Sequence, residues 1–331
     1  MDETSGTLLP DIMKHTVDYL DLVIIRSCQL ACEGCCTFSD HKKINGLIDV
    51  KEAEPAIAFW SQYINPTRLH LFGGEPTMHP QLLDWFRLAR KYWPNNGPVW
   101  LNTNGYYLDK LFNHIDELFI DNTSAVSVTH HTTEEPYASL VLNNYAELKR
   151  LILQRYQAKN STTDAYWTDS SDWDSKHKKF NLLKNHRGDL LVMLNMTFQH
   201  DDHFVPHYKG YGTTLKPWEN YHTGVDKQRN HGVCHIKNYV QLYNDRLWKC
   251  PPRAVLNQTL ETYNLQTDPD WEPYYNEYES LGIDASKDVI NAWFERQKTA
   301  ENTCNMCGFM HSHTVPARQH LPKKLYKLKS V

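Results

Sequence analysis

Eight cysteines are the residues of this chain whose type and spacing favour chemistry most clearly. Three of them lie close together in the segment RSCQLACEGCC, where Cys28, Cys32 and Cys35 have the spacing C-x3-C-x2-C. Three thiolates brought so close together bind a soft metal centre. If that centre is a four-iron cluster, three protein ligands leave one iron free to bind another molecule. A structural zinc ion, with Cys36 or a histidine as its fourth ligand, is the alternative that this loop alone leaves open.

A second, split group of cysteines lies towards the end of the chain. Its members are Cys234, Cys250, Cys304 and Cys307. The first two flank an alternating segment that is broken at Asn244-Asp245, a pattern typical of a β-hairpin. The last two form a C-x2-C knuckle. Four thiolates together can close a tetrahedral zinc site or fill all four irons of a cubane cluster.

The distribution of the cysteines argues against a disulfide scaffold. Such scaffolds are small, secreted and dense in cysteine. This chain has 331 residues and no cysteine between Cys36 and Cys234. Two metal sites therefore suit the distribution better than a set of long-range disulfides.

Strand and helix patterns alternate along the chain and must position these residues. Short apolar segments predict strands at 19–25, 68–72, 99–103, 124–130 and 190–198. Helical spacing predicts helices in VKEAEPAIAFWSQYI, with Asp49 as N-cap, in QLLDWFRLARKYW and in ASLVLNNYAELKRLILQRY. The alternation is typical of parallel βα units in a barrel or doubly wound sheet. Two polar segments, 157–179 and 200–232, are expected to be solvated loops or a lid over the open face.

A glycine-rich motif follows the second predicted strand. The segment LFGGEPTMHP places Gly73, Gly74, Glu75 and Pro76 at the carboxyl end of that strand. Two glycines let a ligand approach the backbone closely, and Glu75 adds an acceptor suited to an ammonium group. A Gly-Gly turn alone is more often only a tight turn. Beside a cysteine loop, it becomes a candidate site for an amino-acid head group.

The paired motifs CQLACEGC and GGEP resemble those of the radical S-adenosylmethionine (SAM) enzymes, over residues 18–198. The resemblance implies a partial (β/α)6 TIM-like barrel in which Cys28, Cys32 and Cys35 hold a [4Fe-4S] cluster. It also implies that the free iron chelates SAM and that the turn at 73–76 binds the methionyl amino group. In this family the reduced cluster cleaves SAM to a 5′-deoxyadenosyl radical, which takes a hydrogen atom from the substrate.

The same resemblance suggests roles for polar residues at later strand ends. Asn104, in NTNG, is a candidate to bond the ribose of SAM, and His130 and His131 are candidates to line the substrate pocket. Polar residues that merely end strands are the alternative. The family often has an aromatic residue before the third cysteine, whereas this chain has Gly34. We therefore assign the adenine contact to Phe38.

The second cysteine group resembles the auxiliary-cluster extension known as the twitch domain, a shortened relative of the SPASM domain. This implies that Cys234, Cys250, Cys304 and Cys307 hold a second [4Fe-4S] cluster. The predicted organisation is a barrel at 15–230, the auxiliary iron-sulfur domain at 231–320 and a basic tail at 321–331.

The expected function is removal of hydrogen from a substrate C–H bond and oxidation of a small polar molecule, such as a polyol, sugar or nucleotide. The second cluster would accept an electron, and a flavodoxin or ferredoxin would supply one to the first. Radical modification of a peptide or of a modified nucleotide is the first alternative. A non-catalytic module that binds two zinc ions through the same cysteines is the alternative of another class.

The composition limits the possible partners. A net charge of -4 gives no broad attraction to duplex nucleic acid or an anionic membrane. No apolar run approaches the roughly 18 residues that a membrane span requires. The segment MDETSGTLLPD lacks the basic-then-apolar order of a secretory signal. We therefore expect a cytoplasmic protein.

Replacement of single cysteines tests the ligand assignment. The wild-type chain should carry about eight irons after anaerobic purification. Cys28→Ala should abolish SAM cleavage, because it removes a cluster ligand, and Cys36→Ala should leave it largely intact. Iron analysis and 5′-deoxyadenosine formation are the measurements. Loss of the cluster in Cys36→Ala, or a colourless protein with two zinc ions, would contradict the assignment.

Overall fold

The computed structural model describes residues 14–32, 34–41, 43–121, 124–160, 164–170, 178–198, 207–218, 226–234, 236–276 and 279–307. Within the predicted auxiliary domain at 231–320, residues 235, 277–278 and 308–320 lie outside the described residues, and so does the tail at 321–331. Among the residues within these ranges, no helix is long and apolar enough to cross a membrane.

Most strands belong to a single sheet. The strands are β1 (His15–Ile25), β2 (Ile64–Gly73), β3 (Val99–Thr103), β4 (Ser124–His130), β5 (Tyr166–Ser170), β6 (Lys178–Lys184), β7 (Leu190–Phe198), β8 (Tyr208–Lys209), β9 (Lys216–Pro217), β10 (Tyr239–Tyr243) and β11 (Arg246–Trp248). The sheet has the order β11-β10-β1-β2-β3-β4-β7-β6-β5, and β8 pairs with β9. Six neighbouring strands, from β10 to β7, are parallel, and β11, β6 and β5 add antiparallel edges.

The helices are α1 (Val50–Trp60), α2 (Leu82–Tyr92), α3 (Tyr137–Asn160), α4 (Lys227–Val233), α5 (Pro251–Thr262), α6 (Glu272–Asn276) and α7 (Lys287–Gln297). Strands and helices alternate from β1 to α3, and α5, α6 and α7 follow one another after β11. The predicted N-cap of α1 is confirmed, because the Asp49 carboxylate accepts a hydrogen bond from the Lys51 amide at 2.8 Å. All three predicted helices and all five predicted strands are present, and the α/β fold with a large parallel sheet is confirmed.

The sixth parallel strand comes from the second cysteine group. β10 pairs with β1 from Tyr19↔Tyr239 to Leu22↔Leu242. The predicted hairpin is confirmed, because β10 and β11 are antiparallel neighbours. Its two turn residues, Asn244 and Asp245, have φ of 49° and 61°, as a two-residue type I′ turn requires.

The expectation of a solvated loop at 157–179 is wrong in part. Tyr166–Ser170 is a strand, β5, that pairs with β6 and extends the sheet. Its Trp167 packs against the core opposite the fully buried Leu183, so the hairpin has an apolar face to bury. In the segment 200–232, the described residues form β8, β9 and α4, and 200–206 and 219–225 lie outside the described residues.

Two apolar clusters hold the elements together. The larger one lies between the sheet and α1 to α3 and includes Leu20, Leu22 and Ile24 of β1. Because side chains alternate along a strand, Asp21 and its neighbours face the opposite side of the sheet. The smaller cluster joins Phe38, beside the first cysteines, to residues of α5 and α6. The predicted boundary at 230/231 stays a prediction, and the segments on its two sides share this cluster as well as the sheet.

Candidate active site

The three-cysteine loop begins directly after β1 and turns back on itself. The Cys35 amide donates to the Cys32 carbonyl at 3.2 Å, and the Phe38 amide donates to the Cys35 carbonyl at 2.9 Å. Gly34 has a φ of 74°, a left-handed conformation that favours glycine. The resemblance predicts an aromatic residue at this position. The left-handed backbone conformation explains why it is glycine instead.

The three thiols of the loop are affected by burial and by one another. Burial raises the pKa of the Cys28, Cys32 and Cys35 thiols, and charge on Cys28 and Cys35 raises the pKa of Cys32 further. Buried thiols of this kind suit a soft metal centre, which would release their protons when it binds. No three His, Cys, Asp or Glu side chains among the described residues are grouped to hold one metal ion. On a four-iron cluster, each thiolate binds a separate iron.

The glycine-rich turn is joined to the start of the cysteine loop. The Gly74 amide donates to the Ile25 carbonyl at 2.8 Å, and the Glu75 amide donates to the Ser27 carbonyl at 2.9 Å. A Cβ on Gly73 would lie 2.0 Å from the Ile25 carbonyl oxygen, and one on Gly74 would lie 2.3 Å from that of Ser27. The two glycines therefore make room for the backbone of the chain itself.

Glu75 is fully buried at this junction. Its Oε1 accepts hydrogen bonds from the Thr77 amide at 3.0 Å, the Thr77 hydroxyl at 2.5 Å and the Thr103 hydroxyl at 2.6 Å. Its Oε2 accepts one from the Asn104 amide at 2.7 Å. Burial raises the pKa of this carboxyl, and the hydrogen bonds oppose that rise. The Glu75 side chain thus links β2 to β3. One acceptor position remains on Oε2, and the predicted contact with an ammonium group would have to use it.

Asn104 lies beside the first cysteine of the loop. Its amide nitrogen donates to Cys28 Sγ at 3.6 Å, and its amide oxygen accepts from Gln29 Nε2 at 2.8 Å. The side chain is 4% exposed. The structure therefore brings Asn104 to the predicted cluster, and its contact with a ribose stays a prediction.

The other predicted side chains lie in aromatic surroundings. Phe38 is fully buried and stacks on Tyr208 with ring centroids 4.4 Å apart. His130 is 2% exposed, with its ring 5.5 Å from that of Phe198. The His131 amide donates to the Tyr137 hydroxyl at 3.3 Å. The roles assigned to Phe38, His130 and His131 stay predictions.

The second cysteine group is assembled from three segments. The hairpin and the end of α4 supply Cys250 and Cys234, and a short helical turn at Asn302–Met306 carries Cys304. The Asn230 side chain of α4 donates to the carbonyls of Cys304 at 2.9 Å and of Cys307 at 2.8 Å. The knuckle is thereby fixed to the helix that precedes the group.

The four sulfurs of this group influence one another. Burial raises the pKa of all four thiols, and that of Cys250 rises to about 12. Charges on Cys250, Cys304 and Cys234 each raise the pKa of Cys307 further. The nearby Lys249 ammonium opposes the rise at Cys234 and Cys304. The structure therefore brings together all four cysteines that the spacing predicted.

One cavity of about 380 Å³ extends from the second cysteine group to polar side chains of the sheet. All four cysteines of the group line it, and so do Cys36 of the first loop and Asp21, His70 and Asn102 of the sheet. Phe38, Asn104, His130 and His131 are not among its lining residues.

The polar residues on the sheet side of this cavity were missed by the sequence reasoning. His70 Nδ1 lies 3.0 Å from Asp21 Oδ1 and 3.0 Å from the Asn102 side-chain nitrogen. The Gln241 side chain donates to Asp21 Oδ2 at 2.6 Å. The four residues form a row across β10, β1, β2 and β3. The available signal was Asp21 itself, a charged residue within an apolar strand.

Comparisons with known proteins agree with this geometry. The family described as a 4Fe-4S single cluster domain matches residues 20–152, which contain both the cysteine loop and the glycine-rich turn. A GTP 3′,8-cyclase of Chlorobaculum tepidum is 28% identical over 157 residues, which are 47% of this chain and 46% of that protein. Both matches support the resemblance to the radical SAM enzymes.

The chain spans about half the length of the curated relative that it matches. A solved structure of BtrN in complex with AdoMet and 2-DOIA is 12% identical, with a TM-score of 0.45. That superposition covers 93% of this chain and 99% of BtrN.

Gly74→Ala tests the junction between the turn and the loop. A Cβ 2.3 Å from the Ser27 carbonyl oxygen forces the backbone apart, so the free energy of unfolding should fall by about 1–3 kcal/mol or more. Gly232→Ala in α4 is the matched control, because its Cβ would meet no atom within 4 Å. Chemical denaturation measures both. Equal stability of the two variants would show that the close approach is unimportant.

Proposed function

We propose that this protein is a radical SAM enzyme, an oxidoreductase that takes a hydrogen atom from a C–H bond of a small polar molecule, such as a polyol, sugar or nucleotide. The supporting observation is the cavity that the second cysteine group lines and that reaches Cys36, the neighbour of Cys35 in the chain. Cys36 lines it next to the first group, the second group forms another wall, and polar side chains of the sheet line the rest. A substrate bound there would lie between a radical source and an electron acceptor.

Cys28, Cys32 and Cys35 would hold the first [4Fe-4S] cluster, and the residues around Glu75 would receive SAM. When bound, the first cluster with SAM supplies the radical that removes the hydrogen atom, and a second [4Fe-4S] cluster supplies a one-electron acceptor. The chain itself would supply the cavity that encloses the substrate. Four cysteine ligands at the second site leave no iron vacant for substrate, which favours an electron-accepting or structural use over direct binding.

We assign the role of proton acceptor to His70, which lines this cavity together with His207 and His231. Oxidation of an alcohol radical to a carbonyl releases one electron and the hydroxyl proton. In this role the imidazole would carry its proton on Nδ1, which lies 3.0 Å from Asp21 Oδ1, and would present Nε2 to the substrate; Nε2 has no hydrogen-bond partner among the described residues. Gln241 holds Asp21 from the other side. Asp21 and Gln241 would thereby orient the His70 imidazole as a general base.

A nucleotide is the substrate class favoured by a second observation. The relative that covers 47% of this chain is a GTP 3′,8-cyclase by name. His, Asn and Asp side chains on the sheet side of the cavity can bond the hydroxyls of a ribose as well as those of a sugar or polyol. The physiological electron donor in this proposal is a flavodoxin or ferredoxin.

Transfer of deuterium to 5′-deoxyadenosine tests the proposed function. Anaerobic incubation with deuterated polyols, sugars and nucleotides should label 5′-deoxyadenosine with one of these classes. With that substrate, Cys304→Ala should retain part of the SAM cleavage and lose product, because the electron acceptor is gone. Mass spectrometry measures both products. Full turnover by Cys304→Ala would reduce the second site to a structural one, and transfer only from a peptide would refute the substrate class.

His70→Gln tests the proton acceptor. The variant should still transfer deuterium from substrate to 5′-deoxyadenosine, but product formation should fall by about 100-fold or more, because the base is absent. His186→Gln is the matched control, since His186 is exposed and remote from the cavity lining. Wild-type product formation by His70→Gln would exclude the role.

A further inference from the structure

Arg26 is a buried cation that the proposed chemistry does not use. It lies between β1 and Cys28 and is 2% exposed. Its hydrogen-bond partners among the described residues are neutral: Nη2 donates to the Thr37 carbonyl at 3.0 Å, and Nη1 donates to Gln258 Oε1 at 2.6 Å and to the Tyr243 hydroxyl at 3.5 Å. A buried guanidinium that binds only neutral groups lacks a compensating charge.

The carboxylates near the cysteine loop are bonded to other groups. Asp40 accepts from the Tyr208 hydroxyl at 2.7 Å and lies 2.9 Å from His41 Nδ1. Glu75 accepts from threonines and a backbone amide, as described above. Neither forms an ion pair with Arg26. The missing negative charge must therefore come from another group in the same region.

Arg26 is connected directly to the first cysteine group. The carbonyl that it binds belongs to Thr37, whose hydroxyl lies 3.1 Å from Cys35 Sγ. The Arg26 carbonyl in turn accepts from the Ser39 hydroxyl at 3.1 Å. The guanidinium is thus held within the electrostatic reach of the predicted cluster ligands.

The opposite side of the guanidinium is held by the second segment of the chain. Gln258 lies on α5, which begins immediately after Cys250, and Tyr243 ends β10. The Tyr243 hydroxyl also donates to Gln258 Oε1 at 2.6 Å. These two side chains fix Arg26 from the side of the second cysteine group.

We propose that Arg26 is the buried counterion of the cluster bound by Cys28, Cys32 and Cys35, and that Gln258 and Tyr243 position it there. The inference rests on the first cluster of the proposed function. Reduction adds a negative charge to a cluster, so a fixed cation beside it stabilises the reduced form and raises the reduction potential. The segment that carries the second cysteine group thereby adjusts the reduction potential of the first cluster.

The test is an anaerobic redox titration of the full chain with dithionite, followed by electron paramagnetic resonance. The signal of the first cluster is the one that changes when SAM is added. In Arg26→Gln, the ratio of reduced to oxidised first cluster at a fixed potential should fall at least about tenfold, or about 59 mV for a one-electron couple. Arg26→Lys should stay close to wild type, because it keeps the charge.

Lys249→Met is the matched control. Lys249 is another buried cation, 4% exposed, but it adjoins Cys250 and donates to the Gln297 and Thr299 carbonyls. It should leave the potential of the first cluster unchanged. A fully loaded Arg26→Gln variant with the wild-type potential would overturn the inference, and so would an equal shift in Lys249→Met.

Loss of the cluster is also decisive. If Arg26→Gln fails to bind iron at the first site and Arg26→Lys succeeds, the charge is required and the inference stands. If neither binds iron, Gln258→Leu decides, because it keeps the cation and removes one of its anchors. A lower potential in Gln258→Leu supports the inference, and an unchanged one overturns it. A wild-type chain without a SAM-responsive cluster would instead remove the proposed function, and this inference with it.

Discussion

The backbone junction between the end of β1 and the glycine-rich turn is the constraint on which the candidate site depends. Two amide-to-carbonyl hydrogen bonds, from Gly74 to Ile25 and from Glu75 to Ser27, join the segments without room for a side chain. The cysteine loop leaves the sheet from this junction, so its direction is fixed by hydrogen bonds that cannot form at a larger separation. Glu75 then extends the junction to β3. The position of the first cysteine group therefore follows from the packing of adjacent strand ends.

The two faces of the sheet solve different physical problems. The face under the helices is filled by Leu20, Leu22 and Ile24 together with helix side chains, and it supplies the apolar burial that stabilises the fold. The opposite face buries Asp21 and His70, which cost stability unless they are paired. Their mutual contact limits that cost. Polar groups retained on this side are arranged around the cavity, where a substrate can use them.

The local secondary structure and the membership of the two cysteine groups could be predicted from the sequence. Apolar periodicity located all five expected strands, and the capping preference of Asp49 located the start of α1. Hydrogen-bond register between distant segments has no such local signal, so the pairing of β10 with β1 could not be predicted. The same holds for the contact of His70 with Asp21, which depends on strand order. The role of Gly73 and Gly74 was also invisible, because a sequence does not reveal which backbone approaches a glycine.

In the proposed function an electron would pass between the two cysteine groups. The pairing of β10 with β1 limits how much the distance between them can change. The first cysteine group leaves from the end of β1, and the second is built around β10 and its hairpin. Neighbouring strands in one sheet have a lateral spacing of about 4.8 Å that varies little. Relative sliding of the two groups would break a continuous ladder of backbone bonds. Tunnelling between redox centres decays steeply with separation, so this shared ladder would protect the rate of internal electron transfer against thermal fluctuation.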